Sequence, residues 1–243
     1  MVEVYQNYIN GEWVSSESEK TFPSLNPANK EVIGNFQLSN SKDVEKAVSS
    51  AEQALTLWSE LPAPHRAEIL FEVARLLKKN KEKLAKTVTI EMGKILKEGR
   101  GDVQEAIDIF EYIAGEGRRL FGHTTPSELR NKFCCTMRMP IGVVGLITPW
   151  NFPTAIPGWK LAPALICGNT VIFKPSSDTP LCAIEMIKIL EEAGIPKGVV
   201  NLITGSGEDV GSPIIKHSKI KGISFTGSRN TGEFILKNAG IKK

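Results

Sequence analysis

The sequence predicts an α/β protein: a doubly wound parallel sheet, with a helical layer and a small antiparallel ribbon added to it. Three observations predict this. In the second half, four short β-branched runs alternate with segments of helical spacing, the order that builds a parallel sheet with right-handed crossovers. Each run ends in a polar loop marked by proline or glycine. The first half carries four successive amphipathic helical patterns joined by short connections. The clearest unit is Ile141-Gly-Val-Val-Gly-Leu-Ile-Thr-Pro-Trp-Asn151-Phe-Pro, an apolar helix, and Gly168-Asn-Thr-Val-Ile-Phe-Lys174-Pro-Ser-Ser-Asp178. It reads as strand, loop, helix, strand, loop. Its loops leave the carboxyl ends of the strands, where open α/β sheets bind ligands.

The elements follow in order. Asn10-Gly11 between Tyr8-Ile9 and Glu12-Trp-Val14 is a tight-hairpin signal. Ser24-Leu-Asn-Pro-Ala-Asn29 is a turn leading to a strand at Glu31–Phe36, so a small antiparallel element precedes the helices. Ser41 is the expected cap of a helix with Asp43 and Glu45 in its first turn. Its stripe is Val44, Ala47, Val48, Ala51, Leu55 and Trp58, and Pro62 and Pro64 stop it. A second helix follows His65, with Ile69, Leu70, Val73, Leu76 and Leu77 inward. A third runs from Lys81 to Met92 with Gly93 as C-cap. A fourth starts near Lys97 and carries Val103, Ala106, Ile107, Phe110 and Ile113. These four helices are expected to form one layer on one face of the sheet.

Pro126 ends the helical pattern, and Phe133–Met139 is β-prone, an exposed or edge ribbon. From there the order is strand 142–147, helix 155–167, strand 170–173, helix 181–193, strand 199–203, helix 208–216, strand 222–225, helix 231–238. The expected division is 1–123 for the hairpin and helices, 124–140 for the bridging ribbon, and 141–243 for the parallel sheet.

Composition narrows the classes. Hydrophobic residues make up 41% and charged residues 23% of 243, ordinary for a globular chain. A net charge of +3 gives no argument for nucleic acid or an anionic membrane. No apolar stretch is long enough to span a bilayer, and Met-Val-Glu-Val-Tyr-Gln has no signal-peptide character, which predicts a cytoplasmic protein. The four cysteines (Cys134, Cys135, Cys167, Cys182) form no Cys-x-x-Cys pair. They are expected as reduced, mostly buried thiols, and no metal site is expected. Adjacent Cys134 and Cys135 point to opposite faces of a strand, which disfavours a mutual disulfide.

The loops carry the chemistry. Asn151, on a loop stiffened by Pro149 and Pro153, is either an amide donor to a developing oxyanion or a turn former. Lys174, at a strand end, either meets a nucleotide or is a surface lysine. Gly205-x-Gly207-x-x-x-Gly211 offers close backbone approach, but its third glycine comes one residue later than in Gly-x-Gly-x-x-Gly. Gly227 and Ser228 at a helix start either hold a pyrophosphate or cap the helix.

Together, Thr148-Pro-Trp-Asn151-Phe-Pro, Gly168-Asn-Thr-Val-Ile-Phe-Lys174-Pro-Ser, Gly205-x-Gly207-x-x-x-Gly211 and Phe225-Thr-Gly-Ser228 resemble the aldehyde dehydrogenase superfamily. The likeness begins at Tyr8-Ile-Asn-Gly-Glu-Trp and runs through the chain. The stretch from Thr124 through Lys160 looks most like members acting on oxo-acid semialdehydes, of the 2-oxoglutarate or succinate semialdehyde type. The resemblance implies a Rossmann-like domain for NADP or NAD. By position, Asn151 would be the side-chain half of the oxyanion hole, and Ile147, Thr148, Pro149 and Trp150 would line the nicotinamide half. Lys174 would bind the adenosine ribose, and Gly207 and Gly211 would pass the adenine side. Ser228 would contact the pyrophosphate with Phe225, Thr226 and Gly227 nearby, and Ser176, Ser177 and Thr231 complete the cofactor set.

Two departures matter. Ser177 stands where many NAD-preferring members have a glutamate that accepts from the ribose hydroxyls and repels a 2′-phosphate, so NADP is expected to be accepted at least as readily as NAD in an intact homologue. The family's cysteine nucleophile and glutamate base have no counterpart in this sequence. The chain is therefore expected to be the amino-terminal half of such an enzyme, without the catalytic domain, inactive alone, and homo-oligomeric in full-length form. Aldehyde would be a partner only if the other half is supplied. The alternative is a non-catalytic nucleotide-binding module or a subunit completed by a second polypeptide.

Overall fold

The computed structural model describes residues 2–239. Five short strands come first: β1 (Val4–Tyr5), β2 (Asn7–Ile9), β3 (Glu12–Val14), β4 (Thr21–Leu25) and β5 (Val32–Gln37). Four helices follow: α1 (Ser41–Glu60), α2 (Ala63–Lys79), α3 (Lys81–Met92) and α4 (Leu96–Glu116). The ribbon is β6 (Thr124–Thr125) with β7 (Cys134–Cys135). The last part alternates β8 (Val143–Ile147), α5 (Ala155–Ile166), β9 (Thr170–Lys174), α6 (Pro180–Glu192) and β10 (Val200–Leu202). It closes with α7 (Ser212–Lys216), β11 (Ile220–Phe225) and α8 (Arg229–Ala239).

The main sheet has the order β11-β8-β9-β10-β2-β3, its first four strands parallel. The amino-terminal hairpin extends the main sheet. It turns through Asn10 (φ 55°) and Gly11 (φ 74°), a pair of left-handed residues that matches the twist of two strands, and β2 adds antiparallel to β10. Asn7 fixes the junction: fully buried, it donates to Ser39 Oγ (2.8 Å) and accepts from the Thr204 N–H (3.1 Å). The strand expected at Glu31–Phe36 is β5, central in a second sheet between β1 and β4.

The single helical layer expected from the sequence is instead split across both faces. α1 lies on β8, β9 and β10 beside α7, burying Val44, Ala47, Val48 and Ala51 against Val143, Ile147 and Ile172. α5 and α6 cover the other face through Val144, Leu146, Val171 and Phe173. α2, α3 and α4 pack outside α5 and α6. The signal for this third layer is α5 itself, whose Ala-Ile-Pro-Gly-Trp-Lys-Leu-Ala-Pro-Ala-Leu-Ile is apolar nearly all round and so must be covered on two sides. Leu55, Ile69 and Ile113 of the expected stripes are only partly buried.

Local chemistry moves several boundaries. Asn40, not Ser41, caps α1: its Oδ1 accepts from the Lys42 N–H (2.8 Å), and Asp43 accepts from the Asn40 N–H (2.9 Å), a reciprocal capping box. α2 begins at Ala63, before His65, because Pro64 sits in the first turn where a missing N–H costs no hydrogen bond. Gly93 caps α3 at φ 89°, as expected. α4 ends at Glu116, well before Pro126, at Gly117, whose hydrogen faces Ala67 and Ile166 too closely for a side chain. The ribbon leaves Cys134 and Cys135 exposed, Cys167 half-buried and only Cys182 buried, so the thiols are not mostly buried. A two-residue pair with no second layer has no interior to offer. Among the described residues, no helix is long and apolar enough to cross a membrane.

A buried guanidinium ties the two layers. Arg66 donates to the main-chain oxygens of Ile166 (3.0 Å), Trp58 (3.3 Å), Ser59 (3.2 Å) and Leu61, joining the ends of α1 and α5. Lysine lacks the planar fork that reaches these carbonyls together. Arg66→Lys is therefore expected to lower stability by about 2 kcal/mol through unpaired buried carbonyls, measured as a lower urea midpoint with an unchanged slope.

Candidate functional site

A cleft of about 670 Å³ opens at the carboxyl ends of β8, β9 and β11. It lies at the switch point of the sheet: β8 sends its helix to the α6 face, while α8 after β11 packs on α7. The loops there are tied side by side. The Thr148 N–H donates to Lys174 O (3.2 Å), the Thr226 N–H to Ile147 O (3.1 Å), and Ser177 Oγ to Gly205 O (3.0 Å).

All fifteen residues singled out from the sequence line this cleft. Ile147, Thr148, Pro149, Trp150 and Asn151 come from the β8 loop. Lys174, Ser176 and Ser177 come from the β9 loop. Gly207 and Gly211 flank the turn before α7, and Phe225, Thr226, Gly227, Ser228 and Thr231 come from the β11–α8 turn. Asp178 and Ile215 line it too and were not foreseen.

Lys174 is not a surface lysine. It is 6% exposed, and its ammonium donates to Pro175 O (2.8 Å). Burial lowers its pKa to about 8, opposed by the negative charge of Asp178. Ser177 is partly buried and its hydroxyl is occupied by Gly205 O, so the cleft keeps one carboxylate, Asp178, one residue further on.

The late third glycine has a geometric reason. Residues 207–211 form a wide turn in which the N–H groups of Gly211 and Ser212 bond five residues back, to Ser206 O and Gly207 O. One more residue fits than in a standard first helical turn, so the expected helix 208–216 is regular only from Ser212. A side chain at Gly207 would enter open space, and one at Gly211 would meet the Lys174 stem at 3.7 Å. Ser228 accepts from the Thr231 N–H (3.3 Å), so it does act as a helix cap.

Asn151 is exposed on its loop and does not cap α5. That cap comes from α4: Asp102 Oδ1 accepts from the N–H groups of Thr154 (3.2 Å) and Ala155 (2.7 Å). Glu91 of α3 caps α6 in the same way, accepting from Leu181 (2.7 Å) and Cys182 (2.8 Å). Burial raises its pKa to about 7 against those hydrogen bonds. Sequence reading missed both acids, although Asp102 shares the phase of Val103 and Ala106, and Glu91 that of Leu84 and Val88. An acid in register with an apolar stripe announces a buried partner.

The cleft fits an extended dinucleotide: a buried cation at one strand end, glycine edges where a chain of atoms passes, and the start of α8 with Gly227 and Ser228 on its wall. The aldehyde dehydrogenase family model matches residues 13–243. The alpha-ketoglutaric semialdehyde dehydrogenase of Bacillus subtilis (strain 168) is 44% identical over 232 residues, covering 95% of this chain and 48% of that protein. The malonate-semialdehyde dehydrogenase of Bacillus pumilus (strain SAFR-032) is 42% identical, covering 97% and 48%. Among solved structures, betaine aldehyde dehydrogenase from Staphylococcus aureus in complex with NAD+ superposes with a TM-score of 0.96 at 37% identity, covering 98% of this chain and 48% of that one. An NADP-dependent enzyme of E. coli does so with a TM-score of 0.96 at 34% identity, covering 99% and 50%. The chain spans about half the length of the curated relatives it matches.

Lys174 sets a pH dependence. Its folded pKa of about 8 lies below its ordinary 10.5, so folding penalises the ammonium fully below pH 8 and the penalty fades as pH rises towards 10.5. Lys174→Met removes that penalty. The variant is expected to be more stable than the parent by up to about 3 kcal/mol at pH 7, a gap that closes across this window in urea titrations.

Proposed function

We propose, for a chain that belongs to the aldehyde dehydrogenase family, that its cleft binds NADP or NAD as part of an aldehyde-oxidising site. The observation that carries this is the convergence of Lys174, the Gly207–Gly211 turn, Ser228 and Asn151 on one cleft. The Lys174 ammonium holds the adenosine ribose hydroxyls. Gly207 and Gly211 let the adenine side pass, with Ser176 and Ser177 beside it. Ser228, Thr231 and the N–H groups at the α8 start hold the pyrophosphate, with Phe225, Thr226 and Gly227 forming the adjoining wall. Ile147 to Trp150 face the nicotinamide, which, when bound, accepts the hydride of the oxidised aldehyde. The Asn151 carboxamide donates to the oxygen that becomes negative when a nucleophile adds to the aldehyde carbonyl. The named relatives support an oxo-acid semialdehyde as substrate. We place the protein in the cytoplasm, and in family-length form as a homo-oligomer through the exposed ribbon with Phe133 and Met137.

Among the described residues no cysteine or glutamate lines the cleft, so the cleft as described offers an acceptor site and an oxyanion donor, with no nucleophile or base for water on its walls. A second reading, a subunit completed by another polypeptide, is favoured by β11, which among the described residues pairs with β8 alone and has an open outer edge, with no buried residue in α8. Purified chain with NADP and a panel of aldehydes is expected to give no turnover above thiol-enzyme controls. Activity appearing on addition of the carboxyl-terminal half of the Bacillus subtilis relative would select the second reading, and turnover by the chain alone would refute both.

Ser177 governs discrimination at the ribose. Calorimetric titration is expected to show NADP binding at least as tightly as NAD. Ser177→Glu is expected to weaken NADP by about tenfold or more, since a carboxylate beside a phosphate costs at least 1.4 kcal/mol or so, while NAD is retained. Strong NAD preference in the unaltered chain would sink this assignment.

A further inference from the structure

The peptide that carries Asn151 is gripped from behind the cleft. Lys94 follows the left-handed Gly93 at the end of α3, and its side chain is 6% exposed. Its ammonium donates to the main-chain oxygen of Asn151 at 2.9 Å and to Asp102 Oδ2 at 3.1 Å. It also lies 4.0 Å from the centroid of the Phe152 ring, a cation–π contact. The other oxygen of Asp102 accepts from the Thr154 and Ala155 N–H groups. One buried ion pair therefore holds both ends of the turn from Asn151 to Ala155, its first carbonyl and its last two amides. The frame behind it is rigid: Gly158 of α5 meets Ala106 of α4 so closely that an added Cβ would lie 3.3 Å from the Ala106 backbone.

Capping α5 alone does not call for this arrangement. A carboxamide or hydroxyl would accept from the same amides without taking two charges out of water, and buried pairs add little net stability over neutral packing. The lysine contributes the link to Asn151, whose exposed carboxamide lines the cleft while its main-chain oxygen is held. Fixing that oxygen fixes the plane of the Asn151–Phe152 peptide, and with it the direction in which the carboxamide leaves the backbone.

We infer that Lys94 and Asp102 are positioning residues for Asn151, aiming its amide donor and the nicotinamide-side loop from behind while touching neither substrate nor cofactor. The inference rests on the roles proposed above for Asn151 and the cleft, and its primary readout needs no nucleotide.

The test uses the isotope-labelled chain in solution NMR with Lys94→Met, Lys94→Arg and Asp102→Asn. In Lys94→Met the Asn151 side-chain amide signals are expected to move towards their random-coil positions. Hydrogen exchange of the Thr154 and Ala155 amides should quicken by about tenfold or more, while interior α2 amides keep their protection. Lys94→Arg, which keeps the charge and the donors, should restore the Asn151 signals. Asp102→Asn, close in shape and still able to accept from Ala155, should shift the same signals by less, and it serves if Lys94→Met does not fold. Binding gives a second readout: Lys94→Met should weaken NAD by about tenfold while ADP-ribose, which lacks the nicotinamide, changes little. Unmoved Asn151 signals in both Lys94→Met and Asp102→Asn, or an equal loss of NAD and ADP-ribose binding, would overturn the inference. If the unaltered chain binds neither nucleotide, the proposed function fails, and the Asn151 signals still decide whether the pair positions that residue.

Discussion

Of the helices that leave the cleft, α5 and α6 do not supply their own first cap. Thr154 and Thr179 make no side-chain cap, so the leading N–H groups of α5 and α6 would be orphaned in the interior. Asp102 and Glu91 satisfy them from the outer helices. The helix dipole favours a negative charge at these ends, while burial works against it, which is why both acids have raised pKa values despite their donors. The consequence is mechanical. The β8 and β9 loops, and every cleft residue on them, are held by α3 and α4 as well as by the sheet.

That dependence explains the three-layer build. A sheet covered once on each face would already bury its apolar strands. The additional layer of α2, α3 and α4 buries the second side of α5 and delivers the two carboxylates to the helix starts. Arg66 performs the complementary task at the far end, collecting main-chain oxygens from the ends of α1 and α5. Both ends of α5 are thus closed by charged side chains from other elements, and the helix cannot slide relative to the strand that precedes it.

Within the cleft, Lys174 is held at a cost. Its ammonium has a single carbonyl partner and a nearby Asp178, so the folded chain gives up part of its charge above about pH 8. A ligand with hydroxyl or anionic oxygens would restore what burial removes, the pattern expected of a binding group that weakens the empty fold. Ser177 contributes by what it lacks, because its hydroxyl is turned to Gly205 O and no negative charge stands at that position.

The cleft residues were legible because each sits where a strand run ends and a proline or glycine begins, a local pattern that period and turn chemistry define. The element order and the Gly93 cap were readable for the same reason, and so was the Asn10-Gly11 turn. The one-residue delay of Gly211 was visible too, though not that it makes a five-residue-back turn. By itself the sequence determined which side chains meet at the strand ends and most of the strands and helices, though not β1 or β4, whose residues 24–25 it read as part of a turn. Only the tertiary structure decided that the hairpin closes the β10 edge, that α1 and α2–α4 take opposite faces, and that Lys94, Asp102 and Glu91 hold the site loops. Those outcomes depend on contacts between residues far apart in the chain, where a period shows that a face is buried but not against which partner.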